Sequence, residues 1–93
     1  MDWDDVVLDE HVDFLTHYPK VKTLILSDND LTTVDFASGL MELEFLDISG
    51  NYVTDIKALN TAASLKQVDC AGNPVSNPRV LSEKVNVIQE ERV

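Results

Sequence analysis

A period of 22 residues runs through the middle of this chain and constrains its fold more than any local motif. The first copy reads Leu15, Tyr18, Val21, Leu24, Leu26, Asn29, Leu31, Val34. The second reads Ala37, Leu40, Leu43, Leu46, Ile48, Asn51, Val53, Ile56, and the third Leu59, Ala62, Leu65, Val68, Cys70, Asn73, Val75. Six slots stay apolar and one stays Asn in all three copies; the eighth breaks only at Pro78. A fixed period of this size marks a stacked solenoid, in which each unit buries its apolar face against the next. A single amphipathic helix does not explain a recurring Asn followed at a fixed interval by new apolar runs.

Within each copy the apolar residues alternate, then fall into wider spacing. Leu24-Ile25-Leu26, Leu46-Asp47-Ile48 and Val68-Asp69-Cys70 read as short strands with two inward side chains each. Equal register in successive copies stacks such strands in parallel, ~4.8 Å apart. The segments Phe36–Leu40 and Ala58–Ala62 read as short helical or 3₁₀ turns on the opposite, convex side, with Phe36 in packing. Gly50 and Gly72 suit tight turns ahead of Asn51 and Asn73.

The pattern resembles the leucine-rich repeat family. Its LxxLxLxxNxL motif stands here as Val21 to Leu31, Leu43 to Val53 and Leu65 to Val75, and the likeness covers residues 15–76. The 22-residue length, with apolar slots six and nine residues before the strand, is similar to the phosphatase-regulator subclass. The resemblance implies an α/β fold: a short right-handed solenoid with a parallel concave sheet and helical caps at both ends. It also implies that Asn29, Asn51 and Asn73 are structural, their amides satisfying backbone groups in the turns that leave the sheet. Proteins of this kind include phosphatase regulators, spliceosomal adaptors, and centriolar and ciliary scaffolds. They bind protein partners without catalysis.

Ninety-three residues make one domain. It divides into an N-terminal cap helix (1–20), three repeats (21–76) and a C-terminal cap (77–93). Asp2 can N-cap the first helix, with Val7, His11, Phe14, Leu15 and Tyr18 on one face and Pro19 ending it. Asn77 as N-cap with Pro78 at the first helical position predicts the second cap helix. The subclass's Tyr-Arg pair has no counterpart in Val80-Leu81-Ser82, and Val85-Asn86-Val87-Ile88 alternates like a strand. A shortened fourth strand is therefore an open alternative for the tail.

The net charge is −10, and residues 1–18 hold six acids and no Lys or Arg. Such a field repels phosphate backbones, so it disfavours nucleic acid and favours a basic protein partner. No stretch approaches the ~20 apolar residues of a membrane span. The acidic N-terminus has no basic leader, and the single cysteine points to a reducing, cytoplasmic setting. The resemblance extends that setting to cytoskeletal and ciliary assemblies.

Outward strand residues form the candidate contact face. They are Thr23, Phe45 and Gln67 in one row, and Ile25, Asp47 and Asp69 in the next. Ile25 and Phe45 would be the apolar contacts, beside Gln67. Asp47 and Asp69 fall in equivalent slots, where mutual repulsion without any packing in return suggests a partner's Lys or Arg. Ser27, Ser49 and Ala71 continue the same face. Enzyme chemistry, cofactors and metals find no support. Thr33 and Gly39 stand where a calcium loop starting at Asp28 needs Gly and Glu. His11 and His17 lack a companion ligand at a useful spacing, and Cys70 occupies a buried apolar slot. The expected function is a monomeric, non-enzymatic interaction module. The alternative is a structural subunit, or an N-terminal domain of a longer protein, that assembles through its ends.

Overall fold

The computed structural model describes residues 20–89. Each copy enters a strand at the same point: β1 (Thr23–Ile25), β2 (Phe45–Asp47) and β3 (Gln67–Asp69). A fourth, β4 (Asn86–Ile88), completes one parallel sheet in the order β1-β2-β3-β4. The register runs Leu24–Leu46–Val68–Val87 along the inward row, so equal side chains of successive copies sit one above another. Leu26, Ile48 and Cys70 form a second inward row, and all three are buried.

The return segments are two 3₁₀ turns, Asp35–Gly39 and Lys57–Thr61, which pack on each other. Their bonds span three residues: the Leu40 N–H donates to the Ala37 carbonyl, and the Ala62 N–H to the Leu59 carbonyl, each at 3.0 Å. A 3₁₀ turn rises further per residue than an α-helix, which lets a five-residue segment span the back of a thin coil. Ala37 and Leu59 point from these turns into the core, with Phe36 and Ala58 packed beside it. The expected convex turns are thus present as 3₁₀ turns, and Phe36 is a packing residue.

The turn after each strand is closed by the recurring Asn. The Asn51 side-chain oxygen accepts the N–H groups of Asn29 and Leu31, both at 2.9 Å. Its amide nitrogen donates to the carbonyls of Leu26 (2.9 Å) and Ile48 (2.8 Å). Asn73 repeats the arrangement one coil later, accepting from Val53 N–H (2.9 Å) and donating to the carbonyls of Ile48 (2.8 Å) and Cys70 (3.1 Å). Asn29 donates to the Ser27 carbonyl at 2.9 Å. These amides pair main-chain groups that a buried turn would otherwise leave unsatisfied. Gly50 and Gly72 adopt left-handed φ of 69° and 76°, and the first copy holds the same slot with Asp28 at 56°.

The C-terminal end departs from the sequence-based expectation. The described residues contain no α-helix, so the cap helix predicted from Asn77 does not form. Asn77 reaches backward instead: its oxygen accepts the Ile56 N–H at 3.1 Å and its nitrogen donates to Asp55 at 2.7 Å. An amide so committed cannot cap the turn ahead of it. The chain makes a single turn, with the Val80 N–H donating to the Asn77 carbonyl at 3.1 Å, and sends Leu81 into the core. It then enters β4 only 19 residues after the matching point of β3, three fewer than the offset between the earlier strands. The alternation Val85 to Ile88 decides the tail. The proposed N-terminal cap helix, with His11 and His17, lies outside the described residues.

Candidate concave interaction face

The strands present their odd-numbered side chains through β3 to the concave side. Thr23, Phe45 and Gln67 stand in register, followed two residues on by Ile25, Asp47 and Asp69. Alternation forces this, since Leu24, Leu46 and Val68 between them are buried. Together these outward residues line one shallow depression of about 240 Å³. The five predicted contact residues Ile25, Phe45, Asp47, Gln67 and Asp69 therefore converge on one place. Phe45 is 43 % exposed, while Ile25 is half-buried on the diagonal from it.

The two carboxylates are not equivalent. One oxygen of Asp47 accepts both the Ser49 N–H (2.9 Å) and the Ser49 hydroxyl (2.7 Å). Asp69 accepts the Ala71 N–H at 3.1 Å and is only 5 % exposed. Each carboxylate therefore closes the turn after its own strand, a return in hydrogen bonds that the expectation of repulsion without packing did not include. The companion expectation that Asp69 and Ala71 are open is corrected, as both are buried. β3 is an inner strand, and the Asp69 side chain is flanked in register by Asp47 and Ile88.

β4 extends the face beyond what the 22-residue period indicates. Asn86 pairs with Gln67 and donates to its side-chain oxygen at 3.4 Å, and Ile88 adds a half-buried apolar side chain beside Asp69. Their signal was the alternation at Val85–Ile88, but the 19-residue offset hid which residue would align. Two further apolar side chains are exposed away from the strands, Met41 (52 %) and Tyr52 (60 %). Tyr52 shares its slot with Asp30 and Pro74, a variable position that gave no warning of an aromatic.

Other chemistry is committed to structure. Burial pushes the Cys70 thiol up from its ordinary range, and its sulfur donates to the Ile88 carbonyl at 3.3 Å. A hollow of about 580 Å³ on the flank includes Thr54, Asp55, Lys57 and Asn60. There the Lys57 main-chain N–H, then the Asn77 amide, hold the Asp55 carboxyl below its usual value. Among the described residues no three His, Cys, Asp or Glu side chains cluster to hold a metal, and no helix is long and apolar enough to cross a membrane.

Residues 19–61 match the family model for leucine-rich repeats, in two copies. No curated protein and no solved structure matches the chain. The matched segment contains β1, β2 and both 3₁₀ turns. The third strand lies beyond it yet keeps register, and Asn73 keeps the Asn bonds. Period, parallel sheet, internal Asn bonds and family match agree, and residues 19–61 are leucine-rich repeats.

Proposed function

We propose that this protein is a non-enzymatic interaction module that binds a basic protein partner on its concave face. Leucine-rich repeats commonly mediate protein–protein interaction, and the observation that carries the reading is Phe45. It projects from an inner strand with 43 % of its surface exposed, where it adds nothing to the core between the sheet and the 3₁₀ turns. Phe45, Ile25 and Gln67 supply the contacts, and Asp47 with the buried Asp69 sets the sign of the field. The net charge of −10 supports long-range attraction of a basic partner. The 22-residue period supports a place in the phosphatase-regulator-like subclass, and the single cysteine supports a reducing, cytoplasmic setting. Cytoskeletal or ciliary scaffolding is the form of this role that the resemblance favours.

The test is capture of a partner from the source cell, followed by titration with the purified partner. Phe45→Ala should weaken binding roughly tenfold or more, since burying a Phe contributes about 1.5–3 kcal/mol. It should leave the melting temperature nearly unchanged. Equal destabilisation by Phe45→Ala and Leu46→Ala would instead move Phe45 into the core and the contact list to the opposite face.

A second reading, assembly of copies through their ends, draws support from the C-terminal side. β4 has one sheet neighbour among the described residues. A hollow of about 560 Å³ there has Leu81, Val85 and Val87 in its lining. Sedimentation across concentration separates the two: the interaction module stays monomeric, and an end-assembling subunit does not.

A further inference from the structure

We propose that the concave face recognises an arginine of an extended partner segment, its guanidinium lying on the Phe45 ring and bonding the free oxygen of Asp47. The inference rests on the concave-face reading above and names the chemistry of its central contact. Phe45 and Asp47 are two residues apart on β2, which places them on one face at a separation of ~6.7 Å. The side chains in register with Phe45 are Thr23 and Gln67, neither of them bulky and apolar, so the ring is left open. The Ser49 N–H and hydroxyl both bond the same Asp47 oxygen, Oδ1, at 2.9 and 2.7 Å. That grip fixes the carboxylate plane and leaves Oδ2 without a partner among the described residues. The depression holds two carboxylates and no cation in its lining. Lys22 and Lys66 each precede a lining residue by one position, and Lys66 is occupied by Glu44 at 3.1 Å.

The face thus offers an aromatic plane beside an oriented acceptor, in a field that favours positive charge. Arginine satisfies both at once. Its guanidinium is planar, stacks on aromatic faces and carries in-plane donors, whereas lysine offers a compact, strongly hydrated charge. A purely apolar occupant would use the ring and leave the Asp47 oxygen desolvated, which disfavours it.

The probe is a set of blocked tripeptides, acetyl-Gly-Xaa-Gly-amide with Xaa as Arg, Lys, Gln or Leu, titrated into the full chain and followed by two-dimensional NMR. Saturable shifts centred on Ile25, Phe45 and Asp47 are expected with the Arg peptide, and responses about two- to fivefold weaker with Lys. Asp47→Asn keeps an oxygen for Ser49 and removes the charge; Phe45→Leu keeps apolar bulk and removes the ring. Each should weaken the Arg response by a similar factor, with an unchanged amide spectrum elsewhere. A Leu or Gln response equal to that of Arg overturns the proposal. So does an Arg response centred off the concave face, or one indifferent to both substitutions. The parent reading fails separately, when the purified partner binds Phe45→Ala as tightly as the native chain.

Discussion

Asn51 and Asn77 do the same kind of work at two places in the stack, and the contrast shows what a neighbour on each side is worth. Asn51 lies between two complete coils, is 2 % exposed, and bonds four main-chain groups, three of the coil before it and one of its own. Asn77 lies where the period breaks. Its amide bonds one main-chain group, the Ile56 N–H, and the exposed Asp55 carboxylate, and it stays half-exposed. The inward row shows the same gradient. Leu46 is buried between Leu24 and Val68, while Val87, among the described residues, has a strand partner only on the β3 side and is half-buried. In a solenoid, stability is close to a sum of nearest-neighbour terms, so the interior of the stack should tolerate change least.

The largest expected effect sharpens that gradient. Leu46→Ala should cost about 2–5 kcal/mol, the range for truncating a closely packed core residue. Val87→Ala, in the same row, should cost about 1 kcal/mol, in proportion to its partial burial. Urea unfolding of both variants measures the difference. Equal losses would mean that the last coil is as tightly held as the second, and the picture of a graded stack would fail.

The Asn pair is the next comparison. Asn51→Ala orphans two N–H groups and the Leu26 carbonyl in a buried turn and should cost about 3 kcal/mol. Asn77→Ala leaves one N–H and an exposed carboxylate to rebond with water, and should cost about 1 kcal/mol. Thermal melts suffice, and a larger loss at Asn77 would show that the tail, not the repeat, limits stability.

These residues also mark how far sequence could lead. Asn29, Asn51 and Asn73 were legible because a polar residue that recurs inside an apolar period has only a buried, bonded role open to it. Asn77 was not. Capping a helix and bracing a neighbouring coil both use an Asn oxygen accepting a main-chain N–H, and Asn-Pro fits either use. Which N–H is near depends on the coil behind, and that is a tertiary fact. The strands and the outward parity of Phe45 followed from alternation. The burial of Asp69 did not, since alternation gives the direction of a side chain and says nothing of what flanks it. The 19-residue last coil broke the very period that located the others.

Backbone strain divides the first turn from the second. Gly50 holds φ 69° freely, whereas Asp28 holds the equivalent slot at 56° with a side chain, and its carboxylate lies where a Gly50 Cβ would go. Gly50→Ala should therefore cost about 1–2 kcal/mol for left-handed backbone, with the collision added. Asp28→Gly in the same chain should return part of that loss by removing the collision. The double-mutant cycle reads the coupling directly. Strict additivity would place the two side chains apart and break the proposed contact between the turns.

The smallest effect belongs to the junction between the second repeat and the tail. Asp55 accepts the Lys57 main-chain N–H at 2.8 Å and the Asn77 amide at 2.7 Å on the same oxygen. The Lys57 N–H, the Asn77 amide and, less strongly, the Lys57 charge favour the ionised carboxyl and lower its pKa in the folded chain. A lowered folded pKa means that the unfolded chain binds the proton more readily. The stabilisation is then complete above the ordinary carboxylate value of about 3.9 and disappears as pH falls through the lowered folded value. Asp55→Asn retains an oxygen for both donors but cannot titrate. Melting temperatures of the two proteins should differ most near neutral pH and converge on acidification below about pH 4. The carboxyl is fully exposed, so the gap should be small. Parallel profiles across the whole range would show that the Asp55 bonds form without stabilising the fold, and that the tail is held by Leu81 and β4 alone.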